Sequence, residues 1–316
     1  SVCTQSRPSR IISAEIISAQ SLPRATQPVP RRVNTLHLRL YITSFNTKSQ
    51  LNALYLNLDR CENLKKFSII SKNMLELRLG CTKIQVLLSS FADQSKLKWL
   101  HLMGNDIERL PSSFNKLTQL LHLHIIFCKM LYTLAELPLS LKILDVTNYK
   151  SLQILPNLPP SLETQNAKYC SILQSLPKLP ISLKTLEIID CISIQNLPKL
   201  PSSLETLNAR YCLYFRLSSS LKTLDVTDCK SLQSLPELSS YLETPNAKYC
   251  SMLQSLPKLP LSLKTLDVID CKSFQSLPKL PLSLETLNVG HCSILQSLPE
   301  LPPSLKTLDR TDCKSL

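Results

Sequence analysis

Glycine is nearly absent from this chain, with three residues in 316. Three glycines cannot supply both a phosphate-cradling loop and ordinary turns, and the Gly-x4-Gly-Lys-Ser/Thr pattern does not occur. A nucleotide site of that kind is excluded. Aromatic residues make up only 5%, with one tryptophan, Trp99, so leucine must build the core. No apolar run approaches the ~18 residues of a membrane-spanning helix. The apolar stretch near the N-terminus, IISAEIISA, is broken by Glu15 and does not have the form of a secretory leader. No Asn-x-Ser/Thr acceptor occurs anywhere. These absences point away from a membrane and away from the secretory route, to a cytoplasmic or nuclear protein. Ser1 in place of Met, and an end inside a repeat at Leu316, read as a fragment or a truncated product.

The net charge of +13 is uneven: +4 over residues 1–32, +6 over 33–140 and +3 over 141–316. The longest region is thus almost balanced and lacks the basic stripe of a nucleic-acid footprint. Residues 1–32 read as a basic flank, a linker or poorly ordered tail.

What the chain has in abundance is a repeat. Nine units align on Leu141, Leu162, Leu183, Leu204, Leu221, Leu242, Leu263, Leu284 and Leu305, in steps of 21 except for one of 17. The consensus is Leu-x-x-Leu-x-Val/Ala-x-x-Cys-x-x-Leu-x-x-Leu-Pro-x-Leu-Pro-x-Ser. Five more divergent units of 20–23 residues start at Val33, Ala53, Met74, Leu97 and Leu120. The organisation expected is a repeat array over 33–316, divergent over 33–140 and regular over 141–316. Leu-x-Val is a period-2 segment. As a strand it points Leu224 and Val226 inward, and Thr223, Asp225 and Thr227 outward. One unit cannot bury its leucines alone, so neighbours must stack. The Leu-Pro-x-Leu-Pro half is the return path, where proline fixes φ and has no N–H to donate, suiting an extended, polyproline-like course with little helix.

Cysteine recurs at the ninth position, as Cys170, Cys191, Cys212, Cys229, Cys250, Cys271, Cys292 and Cys313, and earlier as Cys61 and Cys128. A column of thiols on a stacked solenoid is a line, which cannot close into the tetrahedron that zinc requires. In-register side chains run parallel, and a reducing compartment disfavours disulfides. The reading is a spine of small, buried thiols, with no metal.

A second period of 42 lies over the first. Position two alternates Lys and Glu from Lys142 to Lys306. Position eight alternates Asp with Tyr or His from Tyr169 to Asp312. Stacking sets Lys over Glu. Gln165 and Pro245 occupy positions where an inward leucine belongs, and Arg310 replaces an inward valine. These units are expected to be locally loose or decaying copies.

No catalytic constellation emerges. Candidate binding residues lie on the more varied early strands: Tyr55, Arg78, Trp99, His101, Met103, His122 and His124, with Phe127 beside them. Aromatic residues and arginine are common interface anchors. Lys168-Tyr169, Arg210-Tyr211 and Lys248-Tyr249 form a basic-aromatic series of the kind that binds single-stranded nucleic acid, but the interleaved Asp190, Asp228 and Asp270 oppose phosphate.

The unit pattern resembles the leucine-rich repeat, which implies a solenoid of α/β type, or horseshoe, with a parallel sheet on its concave face. Residues from about 50 to 316 resemble, more narrowly, the repeat region of plant intracellular immune receptors of the TIR–nucleotide-binding–leucine-rich-repeat (TIR-NBS-LRR) class. The matching text is MLELRLGCTKIQVL, SKLKWLHLMGNDIERLPSSFNKLTQLLHLHI and the LPKLPISLKTLEIIDC series. The resemblance implies a non-catalytic role in plant defence and innate immunity: sensing a pathogen effector or a guarded host protein, and holding the receptor's nucleotide-binding domain inactive. That family's NAD-cleaving and ADP/ATP-binding domains lie elsewhere in the receptor, so no cofactor is expected here. The alternatives are a standalone repeat adaptor or decoy, and a fragment of a bacterial effector ubiquitin ligase with Leu-Pro-x repeats. The latter's Cys-x-Asp motif is absent.

Overall fold

Every repeat converts the same three positions, its third to fifth, into a short strand. The computed structural model describes residues 35–37, 44–45, 54–68, 70–194, 197–211, 220–235 and 237–316. The basic flank 1–32 and Cys212 lie outside them. The chain divides into two compact units, one ending at Leu141 and one spanning Lys142–Leu316.

The first unit contains β1 (Thr35–His37), β2 (Ser44–Phe45), β3 (Tyr55–Asn57), β4 (Lys66–Phe67), β5 (Glu76–Arg78), β6 (Trp99–His101) and β7 (His122–His124). β1, β3, β5, β6 and β7 form a parallel sheet in that order, and β2 pairs with β4 on the return side. Two return paths are not extended: Ser89–Asp93 and Ser112–Lys116 are 3-10 turns that bury Phe91 and Phe114. Both belong to units of 23 residues. Five 3-10 residues advance about 10 Å at ~2.0 Å each, as far as three extended residues at ~3.1–3.3 Å. The two added residues therefore pay for the tighter winding.

The second unit holds nine parallel strands in sequence order: β8 (Ile143–Asp145), β9 (Thr164–Asn166), β10 (Thr185–Glu187), β11 (Thr206–Asn208), β12 (Thr223–Asp225), β13 (Thr244–Asn246), β14 (Thr265–Asp267), β15 (Thr286–Asn288) and β16 (Thr307–Asp309). Position pairs with like position, Thr185 with Thr206 and Glu187 with Asn208. The 17-residue step leaves this register intact, with Thr206 beside Thr223. Each unit is a leucine-rich-repeat solenoid with almost no helix.

Inward columns are dry: Leu224, Val226, Leu266, Val268, Leu287 and Val289 are all buried. Many strands end where a fifth-position Asp or Asn accepts the N–H two residues on. Asp145 Oδ1 takes Thr147 N–H at 2.9 Å, and Asp225 Oδ1 takes Thr227 N–H at 3.0 Å. These are Asx turns. Thr227 departs from the outward direction expected of it. It is buried, with its hydroxyl on Asp225 Oδ1 at 2.6 Å, because the turn folds it back over the strand end. The serine that ends each Pro-x-Ser segment can donate to the first-position carbonyl of its own repeat, as Ser182 Oγ does to Leu162 O at 2.6 Å.

The Lys–Glu alternation forms ion pairs across the second unit's strands. Glu163 bridges Lys142 and Lys184 at 2.9 Å each, and Lys222–Glu205, Lys264–Glu243 and Lys306–Glu285 follow at 2.6–2.9 Å. The two lysine hydrogen bonds hold the Glu163 carboxyl down at about 2. All are exposed, so each contributes only ~0–1 kcal/mol and fixes register more than stability.

The rule-breaking units keep their strands. Gln165 is buried between Leu144 and Leu186. Pro245 is buried in β13, which keeps a three-residue register with β12 but only Asn246↔Asp267 with β14. Even positions of each strand donate toward the following strand, as Val226 N–H does to Asn246 O and Ala247 N–H to Asp267 O. Pro245 is the even position that has no N–H, so the ladder is lost on that side alone. Arg310, which follows β16, is exposed.

Candidate functional site

The register of the first unit brings the early candidates into two rows. Tyr55, Glu76, Trp99 and His122 are successive partners in one, and Asn57, Arg78, His101 and His124 in the other. The buried Leu56, Leu77, Leu100 and Leu123 between the rows hold the strands down, so every flanking side chain stands on the opposite face. Trp99 stacks on His122 with centroids 5.6 Å apart and planes at 20°. His101 stacks on His124 at 4.8 Å and 4°. Met103 and Phe127 follow their strands in exposed turns, and Phe127 is left-handed at φ 58°.

Glu76, read from the sequence on the same varied face, joins two of the candidates, a contact the sequence did not show. Its Oε1 accepts from Arg78 Nε at 2.6 Å and lies 3.6 Å from His101 Nε2. The signal was available, since Glu, Arg and His fall on the outward positions of adjacent period-2 strands. Which of the three would meet depended on side-chain reach. Burial, followed by the neighbouring His124 and Arg78, lowers His101 to about 4, with Glu76 acting the other way. His101 is therefore neutral at physiological pH. The resulting face carries stacked flat rings, one guanidinium and one carboxylate, a surface suited to packing against a protein rather than to bond chemistry. Among the described residues no cluster of three or more His, Cys, Asp or Glu is arranged to hold a metal ion.

The thiol spine has a specific geometry. Cys170, Cys191, Cys229, Cys250, Cys271 and Cys292 are buried, and Cys313 is half-buried in the last turn. Each Sγ–H donates to the sixth-position carbonyl of the preceding unit: Cys170 to Val146, Cys191 to Ala167, Cys250 to Val226 and Cys292 to Val268, at 2.8–3.2 Å. Burial pushes the Cys292 and Cys128 thiols up to about 11 and Cys271 higher still. Asn105 performs the related task in its unit, accepting the Thr82 N–H and hydroxyl at 3.2 and 2.6 Å.

The basic partners of the tyrosine series are engaged across the sheet. Lys168 pairs with Glu187 at 2.7 Å, Arg210 with Asp225 at 3.3 Å and Lys248 with Asp267 at 2.8 Å.

No family model matches the chain. An alignment of 113 residues, covering 30% of this chain, is 35% identical to the disease resistance-like protein DSC1 of Arabidopsis thaliana, and covers 9% of that protein's length. Among solved structures, the chain is similar to YopM of Yersinia enterocolitica, with TM-score 0.58 and 24% identity over 88% of this chain and 64% of that one. It is also similar to YopM of Yersinia pestis, a leucine-rich effector protein, with TM-score 0.53 and 21% identity over 88% of both. These likenesses are of fold, and the fold is that of the leucine-rich-repeat proteins. Among the described residues no helix is long and apolar enough to cross a membrane.

Proposed function

We propose that this chain is a protein-interaction repeat region acting in plant defence, with β3, β5, β6 and β7 as its recognition face. In this reading it senses a pathogen protein, or a host protein guarded against one, inside the cell. It belongs to a longer receptor of the TIR-NBS-LRR class, and in the absence of a signal it holds that receptor's nucleotide-binding domain inactive. The observation that carries the recognition part is the pair of rows described above. Large, chemically varied side chains stand side by side there, whereas the second unit mostly repeats Thr and Asp or Asn, with Ile143 and Glu187 as departures. The partial identity to a plant disease resistance-like protein supports the setting, and the solenoid fold supports a scaffold without catalysis of its own.

The test begins with the transcript upstream of Ser1. A phosphate-binding loop and a TIR region in frame are expected. A start codon close upstream with neither would leave a standalone adaptor or decoy and overturn the receptor reading. In the whole product, Trp99→Ala and His124→Ala are then compared with Thr223→Ala for elicited and resting defence signalling. The first two are expected to change one or both, and the third neither. Equal effects from all three would sink the assignment of the face.

A further inference from the structure

Where it is described, the eighth position of a repeat is a left-handed turn residue, and in the second unit it alternates in kind. Asn148, Tyr169, Asp190, Tyr211, Asp228, Tyr249, Asp270, His291 and Asp312 all have φ between 56° and 64°. An L-residue pays roughly 1–2 kcal/mol for that conformation, with Asn and Asp the usual exceptions. The Asp units show that the turn forms without an aromatic ring. Tyrosine is thus the costlier choice at a place where it contributes little to the core: Tyr169, Tyr211 and Tyr249 are 46%, 42% and 43% exposed. Two of these units add a second exposed apolar side chain three residues on, Ile172 and Met252, and the His291 unit adds Ile294. The result is a rim along the strand ends on which rings and carboxylates alternate.

The spacing of this rim selects a ligand. Like-numbered positions on adjacent strands stand ~4.8 Å apart, so the rings recur every ~9.6 Å. A polyproline II helix has three residues per turn and ~3.1 Å per residue, a pitch of ~9.3 Å. Extended β peptide repeats every ~6.8 Å and does not keep step. The shortened unit preserves the match, because Tyr211 keeps its left-handed turn and β11 its register with β12. Between the rings stand Asp190, Asp228 and Asp270. Lys230 and Lys272 sit on the last two, while Ile192 holds the corresponding place beside Asp190. Those lysines are exposed, and such pairs hold by only ~0–1 kcal/mol, so an incoming cation can replace them. Lys168, Arg210 and Lys248 are engaged with Glu187, Asp225 and Asp267 in less exposed pairs, which makes them poorer partners for a nucleic-acid strand.

We propose that the rim from Tyr169 to His291 binds a proline-rich peptide in the polyproline II conformation, laid across the strands, with a lysine or arginine once per turn. Its prolines pack between the rings, as in other aromatic-lined grooves for such peptides, and its cations face the aspartates. The stretch spans six strand steps, ~29 Å, or about nine residues of polyproline II. The proposal concerns the second unit and stands apart from the recognition face of the first.

The test titrates the whole chain into fluorescently labelled (Pro-Pro-Lys)4, with (Gly-Ser-Lys)4 and a twelve-residue oligothymidine as the other probes, and reads anisotropy. The proline peptide is expected to bind at least ~10-fold more tightly than its glycine counterpart. Tyr169→Asn, Tyr211→Asn and Tyr249→Asn together are expected to remove that advantage without lowering the thermal midpoint, since Asn suits the left-handed turn. Asp190→Asn is expected to weaken binding several-fold and flatten its salt dependence. Equal binding of the two peptides, unchanged binding by the triple variant, or preference for the oligonucleotide would each overturn the proposal.

Discussion

Replacing Gln165 with leucine should make the second unit more stable, by an amount that can be worked from its surroundings. Gln165 is fully buried, and neither Nε2 nor Oε1 has a hydrogen-bond partner in the protein. An unpaired buried amide costs ~1–3 kcal/mol on protein scales. Leucine at the same place removes that cost and adds roughly one to two buried methyl equivalents at ~0.8 kcal/mol each. Its neighbours in register, Leu144 and Leu186, show that the column accepts the shape. The expected gain is about 2–4 kcal/mol. For an m-value of ~3 kcal/mol/M in urea, the midpoint should rise by ~1 M. Solenoids are coupled mainly between nearest neighbours, so amide exchange should slow most in β8, β9 and β10. Gln165→Glu should be destabilising at neutral pH by at least ~3 kcal/mol, because it buries an unpaired charge. A Gln165→Leu variant that melts earlier than the parent would refute the reasoning, since it would mean that the amide is bonded and contributes to the fold.

Pro245→Leu should restore the donor that β13 lacks toward β14 and stabilise the chain by ~1–2 kcal/mol, with new exchange protection at residue 245 as the specific sign. Cys271→Ala removes the thiol that donates to Ala247 O at 3.2 Å and leaves a small void. A loss of ~1–3 kcal/mol in urea unfolding is expected, while the exposed Cys81 should react with a thiol reagent at pH 8 well before buried Cys128 or Cys292. His101 loses its proton at about 4 when folded and at ~6.5 when unfolded. The unfolded chain therefore binds more protons between those values, and its contribution, complete above pH ~6.5, drains away as pH falls toward about 4. With a discount for its partial exposure, the loss is ~1–2 kcal/mol, and His101→Gln should flatten the stability of the first unit across that window.

Much of the fold was legible because a repeat leaves little freedom. Stacked units that share one leucine pattern must repeat one solution, so Leu224, Val226 and Cys229 could be assigned inward from spacing alone, and Trp99 could be placed beside His122. Other features depended on reach between neighbouring units. Thr227 reads as an outward strand residue until the turn closes on Asp225. Lys168, Arg210 and Lys248 read as cations offered to a ligand until Glu187, Asp225 and Asp267 take them up. Pro245 reads as a broken strand, yet the strand survives because only its even positions donate forward.

The sequence by itself determined the period, the inward columns and the alternation of Lys with Glu, since these follow from which side chains must leave water and which charges must avoid their like. Only the tertiary structure decided which carbonyl each thiol meets, that Glu76 joins Arg78 to His101, and that the tyrosines of alternate units occupy left-handed turns with their rings exposed. Those outcomes are set by hydrogen-bond distances of about 3 Å and by backbone dihedral angles, and a one-dimensional pattern constrains neither.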